Sequence, residues 1–519
     1  MLSDSAAPII GSVTRLPILI VLSIAVFFAA GVPILDEESY LAITANLDPL
    51  KPYHWWRPWP PWFGGTEPDA FVYAHPPLFL GWVATVQHFA DGLRPVRLLA
   101  SVPPAALLGW SAARLLSGSC RRPRLGLALW LSSPIVFLGL QRGLMPDLMV
   151  AALTTTAVAG WRERDSTRMA LLGGVAFGLA AFTKYPALAL VPVFLIHGLR
   201  SGVGRGGWVF WLAAATPWLL GELWLFMVYG RFHLIEVLSR ASEISRGTGE
   251  GRALALLVRL SLGVTVLGFL VKGARWIWLP AFIAAGGSVV WGWPHDVVLS
   301  ARLLVGAFAL AGAVGLVLLG TSAARGWRAG GDRLLFALWG GAVVGGVWAV
   351  HNFAAPRYML GAILPIALLV VAELGDRPQA RTMLWCGAGL QLLAALTLTI
   401  TEHRFFEAGA DLARAAVVQF QPSHYTGEWS FRHEMDAADV TFLTGDVPSG
   451  SVICAPRHSS PGPLPEGLVE VGRISSDASF GPRVLNESFQ IGLYAETLGA
   501  LPMGWTSEPI EEVIAWRVP

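Results

Sequence analysis

Three consecutive carboxylates, Asp36-Glu37-Glu38, directly follow the first long apolar run of the chain, from Leu16 to Leu35. Charged groups are costly inside hydrocarbon, so carboxylates at the exit of a membrane span either stop the span or act at the water boundary. A carboxylate that acts there can take a proton from a hydroxyl group as a general base. The composition and the other motifs of the chain distinguish between these two interpretations.

The composition is that of an integral membrane protein. Hydrophobic residues make up 54% of the chain and charged residues only 14%, and the mean hydropathy is +0.56. Long apolar stretches recur between short basic or Gly/Pro-rich links, and helices are favoured because they satisfy their backbone hydrogen bonds within one segment. The predicted fold is an all-α polytopic membrane bundle. The net charge of +2 is small, and nothing indicates a nucleic-acid partner.

The positive-inside rule determines how often the chain crosses the membrane. The basic clusters around Arg122, Arg164 and Arg328 should be cytoplasmic, and they alternate with weakly basic links. If the run from Pro76 to Ala90 crossed the membrane, every later basic cluster would lie outside the cell. We therefore expect this run to lie in the membrane–water interface. About thirteen spans remain, with the N-terminus inside. They are 16–35, 94–116, 125–140, 148–161, 169–182, 187–199, 207–229, 253–271, 276–291, 298–320, 334–350, 358–373 and 382–401.

This topology places the ionisable residues nearest the span ends on one face, the outer one. These residues are Asp36, Glu37, His75, Arg142, Asp147, Lys184 and Arg357. The first outer loop, residues 36–93, is long and contains a Trp-rich stretch from Trp55 to Phe63. An active site on the outer face, covered by that loop, is the simplest interpretation.

Five short motifs follow one another on this face. They are Leu35-Asp36-Glu37-Glu38-Ser39-Tyr40, Tyr73-Ala74-His75-Pro76-Pro77-Leu78, Arg142 with Asp147, Thr183-Lys184-Tyr185-Pro186, and Pro356-Arg357-Tyr358-Met359-Leu360. In this order, over roughly the first 370 residues, the chain resembles the GT-C glycosyltransferases. It is most similar to the branch that contains the protein O-mannosyltransferases and the lipid A aminoarabinose transferase. The resemblance implies transfer of a sugar, with inversion, from a polyprenyl-phosphate carrier to a lipid, glycan or protein acceptor outside the membrane.

The resemblance also implies that the general base lies in the first loop. There a carboxylate would take the acceptor proton while the anomeric carbon develops positive charge. Asp36 matches the family's first-loop acid and is the predicted base, with Glu37 as the alternative because adjacent helical residues point in different directions. The predicted substrate-binding residues are Tyr40, Trp55, Trp56 and Asp147. The tryptophans equally suit an aromatic belt at the level of the lipid headgroups.

The leaving group would be a lipid phosphate, and fixed cations near it would lower the barrier. Lys184, Arg357 and Arg142 are the predicted phosphate-binding residues, although snorkelling toward lipid headgroups explains Arg142 equally well. His75 departs from the family pattern, which has a Lys before Pro-Pro-Leu, and His carries only part of a positive charge near neutral pH. For His75, phosphate binding, hydrogen-bond donation and packing under the loop all remain open.

A divalent metal is the only cofactor that the resemblance raises. Asp147 resembles the second acidic position of the fold, which helps to hold a metal in some members of the superfamily. Asp36 and Asp147 would be the ligands, with Mg or Mn ahead of Zn because the ligand atoms are mainly oxygen. No cofactor is certain, because an acid in the first turn of a helix that pairs with Arg142 is also a common structural feature.

The chain changes character at Glu402. From there to Pro519 the apolar runs shorten and acidic residues outnumber Arg, which predicts a small soluble α/β domain, 402–519, beside the membrane domain, 1–401. The expected location is the bacterial inner membrane, with the N-terminus cytoplasmic and the C-terminal domain outside. The alternative function is a transporter or flippase of a lipid-linked sugar without transferase activity. Such proteins usually show two similar halves, and this sequence shows no such repeat.

Overall fold

The structure is a computed structural model of the 519-residue chain. It describes residues 7–29, 32–34, 37–45, 47–48, 50–53, 76–244, 252–264, 267–270, 275–292, 299–350, 354–476, 478–494 and 498–519. Four of the predicted site residues lie outside this part of the chain, namely Asp36, Trp55, Trp56 and His75.

Helices dominate the membrane part because an α-helix satisfies its own backbone hydrogen bonds in lipid. The described helices are α1 Ala7–Phe28, α2 Glu37–Ala45, α3 Leu78–Phe89, α4 Leu93–Ser119, α5 Pro123–Leu131, α6 Pro134–Gln141, α7 Pro146–Arg162, α8 Thr167–Ala181, α9 Leu190–Ser201, α10 Gly204–Tyr229, α11 His233–Ile244, α12 Arg252–Leu260, α13 Trp278–Gly292, α14 Leu299–Ala329, α15 Gly331–Val350, α16 Leu360–Leu374, α17 Pro378–Phe420 and α18 Trp429–Ala437. Two short 3-10 helices, Tyr185–Ala189 and Pro356–Met359, lead into α9 and α16.

Five of the described helices are long and apolar enough to cross a membrane, or six if the bent pair α5 and α6 counts as one span. Shorter apolar helices of 10–17 residues accompany them. Large apolar side chains such as Leu199, Leu212 and Met227 are exposed on the outside of the bundle, as expected for a protein surrounded by lipid. The chain is therefore a mostly helical integral membrane protein. The total of about thirteen spans stays a prediction.

Prolines explain why one predicted span is broken. The apolar run at 125–140 forms two helices that meet at an angle of 63°. Pro134, the first residue of α6, has no backbone N–H to continue the preceding helix. The side chain of Ser133 caps the new helix by accepting a hydrogen bond from the backbone N–H of Ile135.

Helix α3 follows the first outer loop. Its 12 residues rise about 18 Å, which is short of the roughly 30 Å hydrocarbon core. One face of α3 packs through Leu80 and Val83 into an apolar cluster with Tyr40 and Ile43 of α2. The position of α3 in the interface stays a prediction.

Helix α17 continues beyond the last predicted span. It contains 43 residues, from Pro378 to Phe420. Glu402, which marks the change in composition, therefore lies in the interior of a continuous helix. The second half of α17 carries the chain from the bundle into the C-terminal domain.

The C-terminal region contains a small sheet. Its strands are β1 His424–Tyr425, β2 Thr441–Phe442, β3 Val452–Pro456, β4 Val469–Ser475, β5 Gly481–Arg483, β6 Leu485–Asn486, β7 Ile491–Gly492, β8 Gly504–Thr506 and β9 Glu512–Arg517. Five of them form one sheet in the order β2-β1-β3-β9-β4. In this sheet β1 is parallel to both neighbours and β9 is antiparallel to both of its own. With α18 beside it, the sheet confirms the predicted α/β character of this region.

Aromatic residues join the C-terminal domain to the bundle. Phe405 and Phe406 of α17 pack with Trp429 and Tyr494 of the domain, and Leu138 of α6 belongs to the same buried cluster. The domain therefore sits directly beside the loop that connects α6 to α7. That loop carries Arg142, and Asp147 follows it in the first turn of α7.

Candidate functional site

Lys184 lies at the sharp turn between α8 and α9. Helix α8 ends at Ala181, and Pro186, the second residue of the following 3-10 helix, has a fixed backbone angle. The Lys184 side chain is buried, and its Nζ donates a hydrogen bond to Asp147 Oδ1 at 2.9 Å. The same ammonium group lies 4.5 Å from the ring centre of Tyr358, within cation–π distance.

Asp147 sits in the first turn of α7, directly after Pro146. The free N–H groups and the dipole at a helix N-terminus stabilise a carboxylate there. Its two oxygens face different cations, because Oδ1 accepts from Lys184 and Oδ2 lies 3.6 Å from Arg357 Nε. Asp147 therefore brings together cations from two separate turns of the chain.

Arg357 lies in the 3-10 helix that leads into α16. Its side chain is buried, and its Nη2 donates a hydrogen bond to the hydroxyl of Tyr358 at 3.1 Å. The guanidinium carbon is 4.9 Å from the centre of the Tyr358 ring. Lys184 and Arg357 thus contact the same aromatic ring and the same carboxylate.

Arg142 directly follows α6 and is almost completely buried. Its guanidinium forms an ion pair with Glu402 of α17. The ring centre of Tyr494, in the C-terminal domain, lies 5.8 Å from the guanidinium carbon. A buried cation is costly unless its charge is compensated, so Glu402 allows Arg142 to remain charged in this position.

Glu402 and Tyr494 are site residues that the sequence analysis missed. Both interact electrostatically with Arg357 as well as with Arg142. Burial and the nearby Glu402 carboxylate raise the pKa of Tyr494 well above its ordinary value, so its hydroxyl stays protonated. The available signal for Glu402 was an acid directly at the end of an apolar run, as for Asp36. Nothing in the sequence around Tyr494 points to the site.

The described part of this site carries more cation than carboxylate. Three cations, Lys184, Arg142 and Arg357, face two carboxylates, Asp147 and Glu402, which leaves one net positive charge. Ammonium and guanidinium groups are the side chains with which proteins bind phosphate. The site can therefore bind a singly charged phosphodiester and stabilise the further charge that develops when the phosphate leaves.

A narrow apolar groove opens beside these charges, between α7, α9, α15 and α16. Asp147, Lys184 and Arg357 line its polar end, and its volume is about 70 Å³. Small and apolar residues form its walls, among them Ala151, Leu190, Val343 and Val347. A charged end joined to apolar walls between helices matches the chemistry of a phosphate with an attached lipid chain.

Glu37, the alternative base, is fully buried at the start of α2. Its Oε2 pairs with Arg97 of α4 and accepts a hydrogen bond from the backbone N–H of Ile34 at 3.0 Å. Its Oε1 accepts from the backbone N–H of Leu144 at 2.9 Å. Leu144 belongs to the loop that carries Arg142 into the site, so Glu37 holds that loop with both carboxylate oxygens engaged.

The remaining predicted residues are placed as follows. Tyr40 packs edge-to-face against Phe79 of α3, with ring centres 5.3 Å apart, inside the apolar cluster between α2 and α3. Asp36, Trp55, Trp56 and His75 fall outside the described residues. Among the predicted residues that are described, the structure brings Asp147, Lys184 and Arg357 into direct contact, while Arg142 pairs with Glu402.

The donor atoms around Asp147 do not suit a divalent metal. The carboxylate is already shared by Lys184 and Arg357, and these cations would repel a metal ion. Over the described ranges, no group of three or more His, Cys, Asp or Glu side chains is placed to hold a metal. The predicted metal role of Asp36 falls outside those ranges.

Comparison with known proteins gives likenesses to solved structures. No protein-family model matches the chain, and no curated protein matches it. ArnT from Cupriavidus metallidurans bound to undecaprenyl phosphate is 14% identical over 88% of this chain and 94% of that chain, with a TM-score of 0.40. The same ArnT in the apo state is 14% identical over 85% and 92%, with a TM-score of 0.37.

The Archaeoglobus fulgidus oligosaccharyltransferase, in complex with Zn and sulfate, is 13% identical over 83% of this chain and 62% of that chain, with a TM-score of 0.41. Identities of 13–14% leave the function to be inferred from the residues of the site.

Proposed function

We propose that the chain is a membrane glycosyltransferase that moves a sugar from a polyprenyl-phosphate carrier to an acceptor on the extracytoplasmic face, with inversion. The observation that carries this proposal is the excess of cations around Asp147 at the polar end of an apolar groove between helices. A lipid-linked phosphate combines the two features that this arrangement suits, an anion and a long apolar chain. The order of the five sequence motifs supports the same reaction.

The three cations bind the donor phosphate in this proposal. The phosphodiester carries one negative charge, and the leaving polyprenyl phosphate gains a second as the glycosidic bond breaks. Lys184, Arg357 and Arg142 are already held by carboxylates and by the Tyr358 ring, so they need little rearrangement to stabilise the new charge. This fixed arrangement lowers the barrier more than it strengthens binding of the ground state.

Asp36 is the proposed general base. Its covalent neighbour Glu37 is anchored to Arg97 and to the backbone of Leu144, in the loop that also carries Arg142. Asp36 takes the acceptor proton while the acceptor oxygen attacks the anomeric carbon from the side opposite the phosphate, which inverts that carbon. Glu37 serves as an anchor because both of its oxygens are engaged.

The finer topology belongs to this proposal. We place about thirteen spans in a bacterial inner membrane, with the N-terminus cytoplasmic and the domain 402–519 outside. In the first outer loop, 36–93, His75 would face the phosphate, and Trp55 and Trp56 would face the sugar or the headgroups. In this mechanism, side chains alone stabilise the charge on the phosphate. A Mg or Mn ion held by Asp36 is a separate proposal.

The test is transfer by purified protein from a labelled polyprenyl-phosphate sugar to a panel of lipid, glycan and protein acceptors. Asp36→Asn should lower the rate by about 10²–10⁴-fold, the usual contribution of a general base. The matched control is Asp48→Asn, which changes an exposed carboxylate of the same loop and should keep the wild-type rate.

Two outcomes would count against the proposal. Undiminished transfer by Asp36→Asn would refute its role as the base. Binding of the donor lipid without transfer to any acceptor would refute the transferase and favour the transporter or flippase instead.

A further inference from the structure

The described residues 491–494 and 498–501 of the C-terminal domain form a segment that is clamped onto the membrane domain. Arg259 of α12 is fully buried and donates hydrogen bonds to the carbonyl oxygens of Gly492, of Gly499 at 3.1 Å and of Ala500 at 2.9 Å. Charge-assisted hydrogen bonds in a buried setting are strong, and three of them share one guanidinium here. The segment is therefore held in one position against α12.

Tyr494 belongs to this clamped segment and is buried. Its ring centre is 5.3 Å from that of Trp429 and 6.0 Å from that of Phe406, so the ring is fixed between α17 and α18. The same ring lies over the guanidinium of Arg142, which pairs with Glu402. The C-terminal domain thus contacts a cation of the donor site directly.

These contacts leave hydrogen-bonding capacity unused. The Tyr494 hydroxyl bonds to the Glu402 side chain, whereas the buried Nε of Arg142 makes no hydrogen bond within the described residues. Polar groups that only hold two domains together are normally satisfied when buried. The buried N–H of Arg142 can therefore donate to a bound anion.

We propose that Glu402 and Tyr494 are positioning residues that hold the Arg142 guanidinium toward the donor phosphate, and that the C-terminal domain thereby completes the donor site. This inference rests on the proposed transferase function. Arg357 connects the two parts of the site, because it lies beside Asp147 and also interacts with Glu402 and Tyr494. The domain is then part of the catalytic unit rather than a cover over it.

The test separates orientation of Arg142 from attraction of the phosphate. Glu402→Gln keeps the shape of the side chain but removes the charge that orients Arg142. Because the cations still attract the phosphate, KM for the donor should change by less than about threefold, while kcat falls by about 10- to 100-fold as for a misplaced catalytic group. Tyr494→Phe keeps the ring and loses only the hydroxyl, so kcat should fall by about threefold.

Each variant has a matched control. Glu407→Gln changes an exposed carboxylate on the same helix and should keep the wild-type kcat. Tyr425→Phe removes a buried hydroxyl that donates to Asp436 in the same domain, so it reports loss of domain stability alone. All rates are divided by the amount of folded protein, which size-exclusion chromatography measures.

The outcomes distinguish this inference from the proposed function. Wild-type transfer together with equal kcat values for Glu402→Gln and Glu407→Gln would overturn the positioning role and leave the transferase intact. A loss in Glu402→Gln that disappears once rates are expressed per folded molecule would overturn it as well. Failure of the wild-type protein to transfer any sugar would overturn both.

Discussion

Two buried ion-pair clusters lie on neighbouring elements and are built differently. In one, Glu37 and Arg97 form a one-to-one pair, and two backbone N–H groups also donate to the carboxylate. In the other, Asp147 is shared by Lys184 and Arg357 beside an apolar groove. The first cluster is balanced in charge, and the second has more cation than carboxylate.

The difference between these two clusters indicates that burial of an ion pair is not enough to identify a functional site. A balanced pair that also binds backbone N–H groups fixes the course of the chain. An excess of buried cation is unfavourable on its own, and a bound anion offsets that cost. The imbalance of charge, together with the groove, is what marks the second cluster as a candidate site.

Breaking the balanced pair should have the largest effect on stability. Arg97→Ala leaves the Glu37 carboxylate buried without its partner, which should cost about 3–5 kcal/mol of unfolding free energy. Thermal unfolding in detergent measures this loss. Arg114→Ala is the control, since it breaks a partly exposed pair with Glu163 and should cost at most about 1 kcal/mol. Equal losses in the two variants would contradict the anchoring role of Glu37.

Removing one cation from the unbalanced cluster should mainly affect the rate. Lys184→Met should slow sugar transfer by about 10²–10³-fold, because a fixed donor to the developing phosphate charge is lost. Stability should change less, since Asp147 keeps Arg357 as a partner. The control is Lys51→Met, an exposed position in the first outer loop. A wild-type rate in Lys184→Met would remove the distinction between the two clusters.

The smallest effect is expected when the charge is kept and only its geometry changes. Arg357→Lys should lower kcat about tenfold, because a lysine cannot contact Asp147 and Tyr358 with the same planar fork. Steady-state kinetics with the labelled donor measures this change. Arg325→Lys, at a partly exposed arginine paired with Glu373, should have no effect. Equal rates for the two variants would show that only the charge of Arg357 matters.

The motifs located much of the phosphate cluster from sequence. Arg142, Asp147, Lys184 and Arg357 all stand at the ends of apolar runs, and the basic links predict that these ends share one face. Ends of spans lie at a similar depth, so charged residues there are close to one another for many arrangements of the helices. The structure brings three of them, Asp147, Lys184 and Arg357, into direct contact, and it pairs Arg142 with Glu402.

Glu402 shows why the rest could not be predicted. The apolar pattern stops near this residue, and the sequence analysis placed a domain boundary there. The helix continues because the residues that follow are rich in Ala, a strong helix former, and because they bury an apolar face that includes Phe405, Phe406 and Leu412. The pairing of Glu402 with Arg142 depends on how α17 packs against the loop after α6. This packing cannot be predicted from the sequence pattern around either residue.

The sequence by itself determined that the molecule is a membrane protein and that its charged residues lie at the ends of the apolar segments. Apolar composition and the cost of charge in lipid act on each segment separately, so they can be inferred from the order of residues. Only the tertiary structure decided which carboxylate pairs with which cation, giving Glu37 to Arg97 and sharing Asp147 between Lys184 and Arg357. The partners in these clusters come from different helices and turns, and helix packing alone sets the distances between them.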